Sequence, residues 1–306
     1  MRIKECDANK KVKQLTEKTN HKQTTNMKTA IVTGGNGGIG QQLVEALANA
    51  GYKVVMACRN MEESNCICSQ IKEKTNNNAI EVMNLDLASF SSIRQFVQDF
   101  RTRYKNVDIL LNNAAALCHH PKQTAEGVEY TVGVNYLGSY LLTELLHPQM
   151  NQGAKIINTV SLLLHYGKIN DHFFQFNPTY FNRFIHYANS KLALYYATLD
   201  WAEKWKEENI TVNCVDPGIV NTKMICMGTK IIDKLCDVLW RPLVRTPKQG
   251  ADTINYLLFE EKNNSTGQLF KNRKIKSVSS SLQEHKQRER LKKQTEDFLT
   301  AYSFLL

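Results

Sequence analysis

Tyr187-Ala188-Asn189-Ser190-Lys191 sets a phenol and an ammonium four residues apart. On a helix, residues at that spacing share one face. A tyrosine alone titrates near ~10 and is a poor proton donor or acceptor at neutral pH. A fixed cation a few ångströms away favours the phenolate and lowers that value. Bringing the phenol into the neutral range needs about 4 kcal/mol of differential stabilisation. A partly buried pair with a second positive charge nearby can supply it. The same pattern also fits an ordinary amphipathic helix with a surface lysine, so the elements around it have to decide.

Those elements alternate. Short apolar, β-branched runs predict strands over 28–33, 52–58, 79–85, 107–111, 154–160 and 210–215, with a short seventh near 267–271. Between them, apolar residues at helical spacing predict a helix ending at Gly51 and helices over 60–75, 89–104, 127–150, 184–208, 223–240 and 247–259. A charged helix over about 281–299 closes the chain. The helix over 184–208 carries Tyr187 and Lys191. Strands and helices alternating in this way predict one doubly wound α/β domain with a central parallel sheet of about seven strands and right-handed crossovers.

Thr33-Gly34-Gly35-Asn36-Gly37-Gly38-Ile39-Gly40 falls between the first strand and the first helix. Amides at a helix N-terminus bind pyrophosphate, and glycines let the backbone approach it. Two frames fit: G-x-G-x-x-G on Gly35, Gly37 and Gly40, and T-G-x-x-x-G-x-G on Thr33, Gly34, Gly38 and Gly40. At the end of the second strand, where an acid would hold a ribose 2′-hydroxyl, the chain has Arg59. An arginine there suits a 2′-phosphate, which favours NADP(H) over NAD(H). A solvated loop arginine is the bland alternative. Asp86-Leu87 follows the third strand, where Asp86 either meets the adenine or caps the helix starting near Ser89.

The composition narrows the classes. No run of about eighteen apolar residues marks a membrane span, and no secretory h-region precedes the first strand. Eight scattered cysteines without Cys-x-x-Cys or His/Cys ligand spacing read as reduced thiols of a cytoplasmic protein with no metal site. Residues 1–28 hold eight Lys/Arg against three Asp/Glu, and residues 271–306 hold nine against four. The whole net charge of +10 therefore belongs to the two ends. They read as a polar basic extension over 1–27 and a basic, helical tail over 276–306, flanking a catalytic domain over 28–275. Solvated ends, not a nucleic-acid surface, are the expectation.

In order, TGGNGGIG (33–40), DL (86–87), NNAA (112–115), Asn135, Ser161, YANSK (187–191) and DPGIVNT (216–222) resemble the short-chain dehydrogenase/reductase family, whose fold is of Rossmann type. The likeness spans about 28–275. Within the family, ACRN (57–60), TAEGVEYTVGVNYLGSYLLTELL (124–146), HYGKI (165–169), YANSKLALYYATL (187–199) and RPLVRTPKQGADT (241–253) resemble the retinol dehydrogenase-like group of carbonyl reductases. Ala115 stands where the family has the glycine of NNAG, and Val160 precedes Ser161 where a second serine is common. Many members of that group carry an N-terminal membrane anchor. The polar first 27 residues predict no transmembrane anchor here.

The resemblance implies a catalytic set of Asn135, Ser161, Tyr187 and Lys191. Tyr187 would be the general acid/base, Lys191 would lower its pKa and bond the nicotinamide ribose, and Ser161 would donate to the carbonyl oxygen. Asn135 would hold a water that relays protons. It implies cofactor contacts from Gly34, Asn36, Gly38, Ile39, Gly40, Arg59, Asp86, Leu87, Asn113, Ala114, Tyr187, Lys191, Pro217, Gly218, Val220 and Thr222. Asn112 and Asn113 would hold the turn beside the nicotinamide, unless they are plain Asx-turn residues. Phe173, Phe174, Phe176, Met224, Ile225 and Met227 would give the substrate an apolar wall, so a lipophilic carbonyl or alcohol, retinal- or steroid-like, is expected. A homodimer is the simplest assembly the resemblance implies. The competing function is a noncatalytic NADP(H)-binding sensor or scaffold, and retention of both Tyr187 and Lys191 argues against it.

Overall fold

The computed structural model describes residues 27–220, 244–262, 264–278, 282 and 285–302. The expected helix over 223–240, Thr222 and the three wall residues Met224, Ile225 and Met227 lie outside them. Eight strands form one sheet in the order β3-β2-β1-β4-β5-β6-β7-β8. They are β1 (Thr29–Thr33), β2 (Lys53–Cys58), β3 (Ile80–Asn84), β4 (Val107–Asn112), β5 (Met150–Thr159), β6 (Thr211–Val215), β7 (Leu269–Lys271) and β8 (Lys274–Ile275). All neighbours pair in parallel except β7 and β8. The eighth, antiparallel strand is one more than the apolar runs predict. It is only two residues long and exposed, so it leaves no apolar signature.

Parallel strands are covered on both faces and therefore read as continuous apolar runs. Ala30, Ile31 and Val32 of β1 are fully buried, as are Val54, Val55 and Met56 of β2. Along β1, alternate residues enter opposite layers: Ile31 joins one core cluster, Ala30 and Val32 the other. On one face lie α1 (Gly38–Asn49), α2 (Met61–Thr75) and, later in the chain, a helix over Pro247–Asn255. Helix α3 (Phe90–Arg103) opens the other face, with Ser89 as its N-cap accepting from Ser92 N at 3.3 Å.

The single helix expected over 127–150 is instead compound. Helix α4 (Tyr130–Val132) widens into a π turn (Gly133–Gly138) and continues as α5 (Ser139–Leu146). Such turns occur where a helix carries a local constraint, often at functional sites. Here Gly138 lies against the chain after β3: a Cβ on it would fall 2.2 Å from Leu87 O. Asn135 sits inside the π turn. Helix α6 (Arg183–Lys204) follows β5, with Asn182 accepting from Phe184 N and Ile185 N at 3.0 and 3.1 Å. Helix α7 (Pro247–Asn255) starts from a capping box between Thr246 and Gln249.

The last helix, α8 (His285–Ala301), packs onto the body. Leu291 and Thr295 are buried, and the Thr295 and Tyr136 hydroxyls are 2.7 Å apart. Arg288 pairs with Asp200 at 2.5 Å and Glu203 at 2.7 Å on α6. Its basic composition thus faces acids of the body on one side and solvent on the other. Among the described residues, no helix is long and apolar enough to cross a membrane.

Candidate active site

The site lies at the carboxyl ends of β1, β4 and β5, where the strand order departs in two directions from β1 and ligands of such sheets bind. The glycine turn is built by close approach. Gly34 takes φ +63° and rests on Ala114, and a Cβ on Gly40 would fall 2.1 Å from Gly34 O. Only glycine lets α1 start against the end of β1 in this way. The N-cap of α1 is Gly37, which offers no side chain to the first-turn amides. Those N–H groups and the positive end of the helix are therefore free for an anion. A dinucleotide pyrophosphate fits this cradle, and Gly38, Ile39 and Gly40 supply its first turn.

Thr33 and Asn113 lock β1 to β4. The Thr33 hydroxyl donates to Leu111 O at 3.2 Å and accepts from Asn113 N and Ala114 N, both at 3.0 Å. Asn113 Nδ2 donates to Thr33 O at 3.0 Å. Asn113 and Ala114 thus border the glycine turn. Asn112 does not. Its Nδ2 donates to Thr143 Oγ1 at 2.9 Å and Asn158 Oδ1 at 2.8 Å, and Asn158 Nδ2 donates to Thr198 Oγ1 at 2.9 Å. Successive strand residues face opposite ways, so Asn112 joins a buried network between the sheet and α5 and α6.

Asn135 is fully buried. Its Oδ1 accepts from Ala116 N at 2.6 Å, and its Nδ2 donates to Ala116 O at 2.9 Å and Ser190 Oγ at 3.1 Å. The side chain pins the loop after β4 to α6, with both amide hydrogens used and one lone pair of Oδ1 left over.

Ser161 lies two residues past β5 in extended backbone and accepts from Leu163 N at 3.3 Å. It lies close enough to the Tyr187 phenol to draw its pKa down. Tyr187 is 8% exposed and Lys191 1%. Lys191 Nζ donates to Thr159 O at 2.8 Å and lies 5.6 Å from the centre of the Tyr187 ring. It meets no carboxylate among the described residues. Burial draws its ammonium down to about 7. The same burial pushes the Tyr187 phenol up to about 12, with the Ser161 hydroxyl pulling down and the Asp216 charge pushing up. Lowering of Tyr187 by Lys191, expected from the sequence, is therefore not the state of the bare chain: desolvation dominates both groups.

On the far side, Gly218 N donates to Asp216 Oδ1 at 2.9 Å, and Asp216 pairs with Lys271 at 2.7 Å. Arg245 Nη1 donates to Pro217 O at 3.2 Å. Ile39 and Val220 both flank Gly250 of α7, which brings the segment after β6 beside the start of α1.

At the adenosine end, Arg59 Nη1 donates to the Tyr130 hydroxyl. Burial pushes the Cys58 thiol beside it up. Asp86 Oδ1 accepts from Ala88 N at 2.9 Å, and Asp86 N donates to the Ser92 hydroxyl oxygen at 2.9 Å, so Asp86 does organise the turn before α3. One carboxylate oxygen remains outside that bond. Leu87 is buried beneath it. Tyr130, 71 residues from Arg59 in the chain, is absent from the sequence expectation, because only folding brings the two together. Phe173 and Phe174 are corrected in the other direction. Both are buried and stack around Tyr136, Phe174 at 6.2 Å, so they are core and not substrate wall.

Comparison with known proteins agrees with this geometry. The family model for the short chain dehydrogenase matches residues 28–227. Retinol dehydrogenase 11 of Mus musculus is 35% identical over 236 residues, 76% of this chain and 74% of its own. Polyprenol dehydrogenase of Homo sapiens is 37% identical over 241 residues, covering 75% and 72%. Among solved structures, a blue fluorescent protein from a metagenomic library, in complex with NADPH, superposes with TM-score 0.63 and 25% identity over 81% of this chain and 96% of that one. With the glycine cradle, Ser161, Tyr187 and Lys191 in one place on this sheet, the chain belongs to the short-chain dehydrogenase/reductase family, in its retinol dehydrogenase-like group, and is an oxidoreductase acting on CH–OH groups with a nicotinamide cofactor.

Proposed function

We propose that the protein is an NADP(H)-dependent oxidoreductase that interconverts a lipophilic aldehyde or ketone and its alcohol, with Tyr187 as general acid/base. The observation that carries this is the buried pair of Tyr187 and Lys191, one helical turn apart on α6, with the ammonium 5.6 Å from the centre of the phenol ring. When bound, the cofactor supplies or accepts the hydride.

In reduction Tyr187 gives its proton to the substrate oxygen, and in oxidation it takes that proton back. Ser161 donates to the same oxygen as negative charge develops on it. Lys191, held at Thr159 O, offsets the charge on the phenolate when Tyr187 has lost its proton. Asn135 is a positioning residue: its side chain fixes the π turn, and the freed backbone there holds the water that returns protons toward Lys191. Asn36, Gly38, Ile39 and Gly40 cradle the pyrophosphate. Asp86 and Leu87 border the adenine. Asn113, Ala114, Pro217, Gly218 and Val220 border the nicotinamide half, to which we add Thr222 from the sequence motif.

NADP(H) over NAD(H) is supported by Arg59 at the end of β2, which pairs with no carboxylate among the described residues and stands where an acid would take a 2′-hydroxyl. A lipophilic substrate is supported by the exposed side chains of Leu162, Tyr166, Phe184, Ile185 and Ile219, all on the segments that flank Ser161 and Tyr187 or follow β6. Two relatives carry retinol and polyprenol in their names, in keeping with an apolar alcohol. The test is a screen of aldehydes, ketones and alcohols with NADP(H) and NAD(H) in parallel. Turnover of apolar members with a preference for NADP(H) is expected. Tight NADPH binding with no turnover across the panel would remove the reading.

A further inference from the structure

Two cations meet on one tyrosine at the adenosine end. Arg59 Nη1 reaches the Tyr130 hydroxyl, and Lys122 Nζ lies 4.1 Å from the centre of the same ring. Neither is paired with a carboxylate among the described residues. The placement is built. Lys122 and Tyr130 stand on the two arms of a hairpin over 122–130, where Tyr130 N donates to Lys122 O at 2.9 Å and Gln123 bridges Glu129. The Glu126 carboxylate at its tip accepts from Phe90 N at 2.6 Å, which fastens the hairpin to α3. Tyr302 at the end of α8 donates to Glu126 O at 2.9 Å, fastening it to the C-terminal helix as well.

Two like charges drawn toward one neutral ring repel each other unless an anion lies between them or water screens them. Both are long, exposed side chains that could otherwise spread apart. A ring face attracts an ammonium by about 0.5–1 kcal/mol at exposed sites. Arginine presents several donors in a rigid fork, so Arg59 can keep one N–H on Tyr130 and turn the rest to a phosphate. A lysine is a point charge that a phosphate monoester also takes well.

We propose that Lys122 is the second cation of the 2′-phosphate site: the hairpin swings it opposite Arg59, and Tyr130 is the platform that sets the gap between the two. The proposal rests on the NADP(H) reading above and adds to it the residue that closes the phosphate from the other side. It also gives the C-terminal helix a task, since Tyr302 backs the hairpin that carries Lys122.

The test is equilibrium binding of adenosine 2′,5′-bisphosphate and adenosine 5′-monophosphate to the full chain, with no turnover involved. Wild type should bind the bisphosphate at least about tenfold more tightly. Lys122→Gln should weaken the bisphosphate roughly five- to twentyfold and leave the monophosphate within about twofold, while Lys122→Arg restores most of the loss. Unchanged monophosphate binding shows in the same experiment that the variant is folded. Unchanged bisphosphate binding in Lys122→Gln overturns the proposal and leaves the NADP(H) reading standing. Equal losses for both ligands overturn it too, because the lysine then serves the adenosine or the fold. A wild type that does not distinguish the two ligands overturns both readings.

Discussion

Lys191 Nζ stands 5.6 Å from the centre of the Tyr187 ring, and both residues are almost wholly buried. Burial acts in the same direction on each, against the charged form. The bare chain therefore holds a neutral phenol beside an amine that is half charged near pH 7. A phenolate in this place needs more positive charge than Lys191 alone supplies. On the proposed reading, the oxidised nicotinamide brings that charge together with the substrate, so acid–base competence arrives with the ligand.

This arrangement makes stability depend on pH. The Lys191 ammonium titrates near 7 in the folded chain and at about 10.5 unfolded. Between these values the unfolded chain binds more protons, so stability rises with pH across that window. Below it the folded chain carries the full cost of a buried charge. Lys191→Met should be more stable than wild type at pH 6, by on the order of 2–4 kcal/mol, with the gap closing by pH 10. Paired urea unfolding curves across that range check it. A gap independent of pH would mean that Lys191 keeps its ordinary charge in the folded chain.

Ser161 beside the Tyr187 phenol holds its pKa down. Removing the serine hydroxyl raises the phenol further. In Ser161→Ala, the rising limb of alcohol oxidation with pH should move to higher pH, and kcat should fall about a hundredfold. A pH–rate profile reads both. An unmoved limb would place the hydroxyl elsewhere in the ternary complex.

Asn112 is tied into the buried network between the sheet, α5 and α6. Asn112→Ala leaves Asn158 Oδ1 and the Thr143 hydroxyl without their donor in a buried setting. A loss of ~2–3 kcal/mol is expected, with NADPH affinity retained. Denaturant titration and cofactor titration of the same preparation separate the two effects. Weakened cofactor binding at unchanged stability is the outcome that contradicts it.

Gly40→Ala puts a methyl 2.1 Å from Gly34 O, where the neighbour is backbone. The start of α1 has to move off β1. NADPH affinity should fall more than about tenfold and stability by ~2–4 kcal/mol. Titration of bound NADPH by fluorescence and thermal melts measure these. Wild-type affinity in this variant would remove the pyrophosphate from the α1 terminus.

The strands were readable because each is a compact apolar run, and β1, β2 and β4 appear within a residue or so of their expected places. The Tyr187–Lys191 spacing was readable because four residues on a helix fix a direction. What resisted was whatever depends on distant partners. Tyr130 meets Arg59 across 71 residues, and Tyr136 meets Thr295 across 159, so no local pattern announces either. The π turn breaks no hydrophobic stripe and stays hidden inside a good helical pattern. Phe173 and Phe174 carry the same residue type whether they line a substrate or fill a core, and only packing on Tyr136 decides. The pKa of Tyr187 went the other way from expectation because spacing reveals the neighbouring cation and not the depth at which both are buried.

The most direct test of the account compares wild type and Tyr187→Phe for NADPH-dependent reduction of an apolar aldehyde, with NADPH affinity measured on both. The phenyl ring keeps the packing and removes the hydroxyl that would give the proton. Turnover should fall by about a thousandfold or more while NADPH affinity stays within roughly threefold. A Tyr187→Phe enzyme that reduces the aldehyde at the wild-type rate would contradict the assignment of Tyr187 as the general acid.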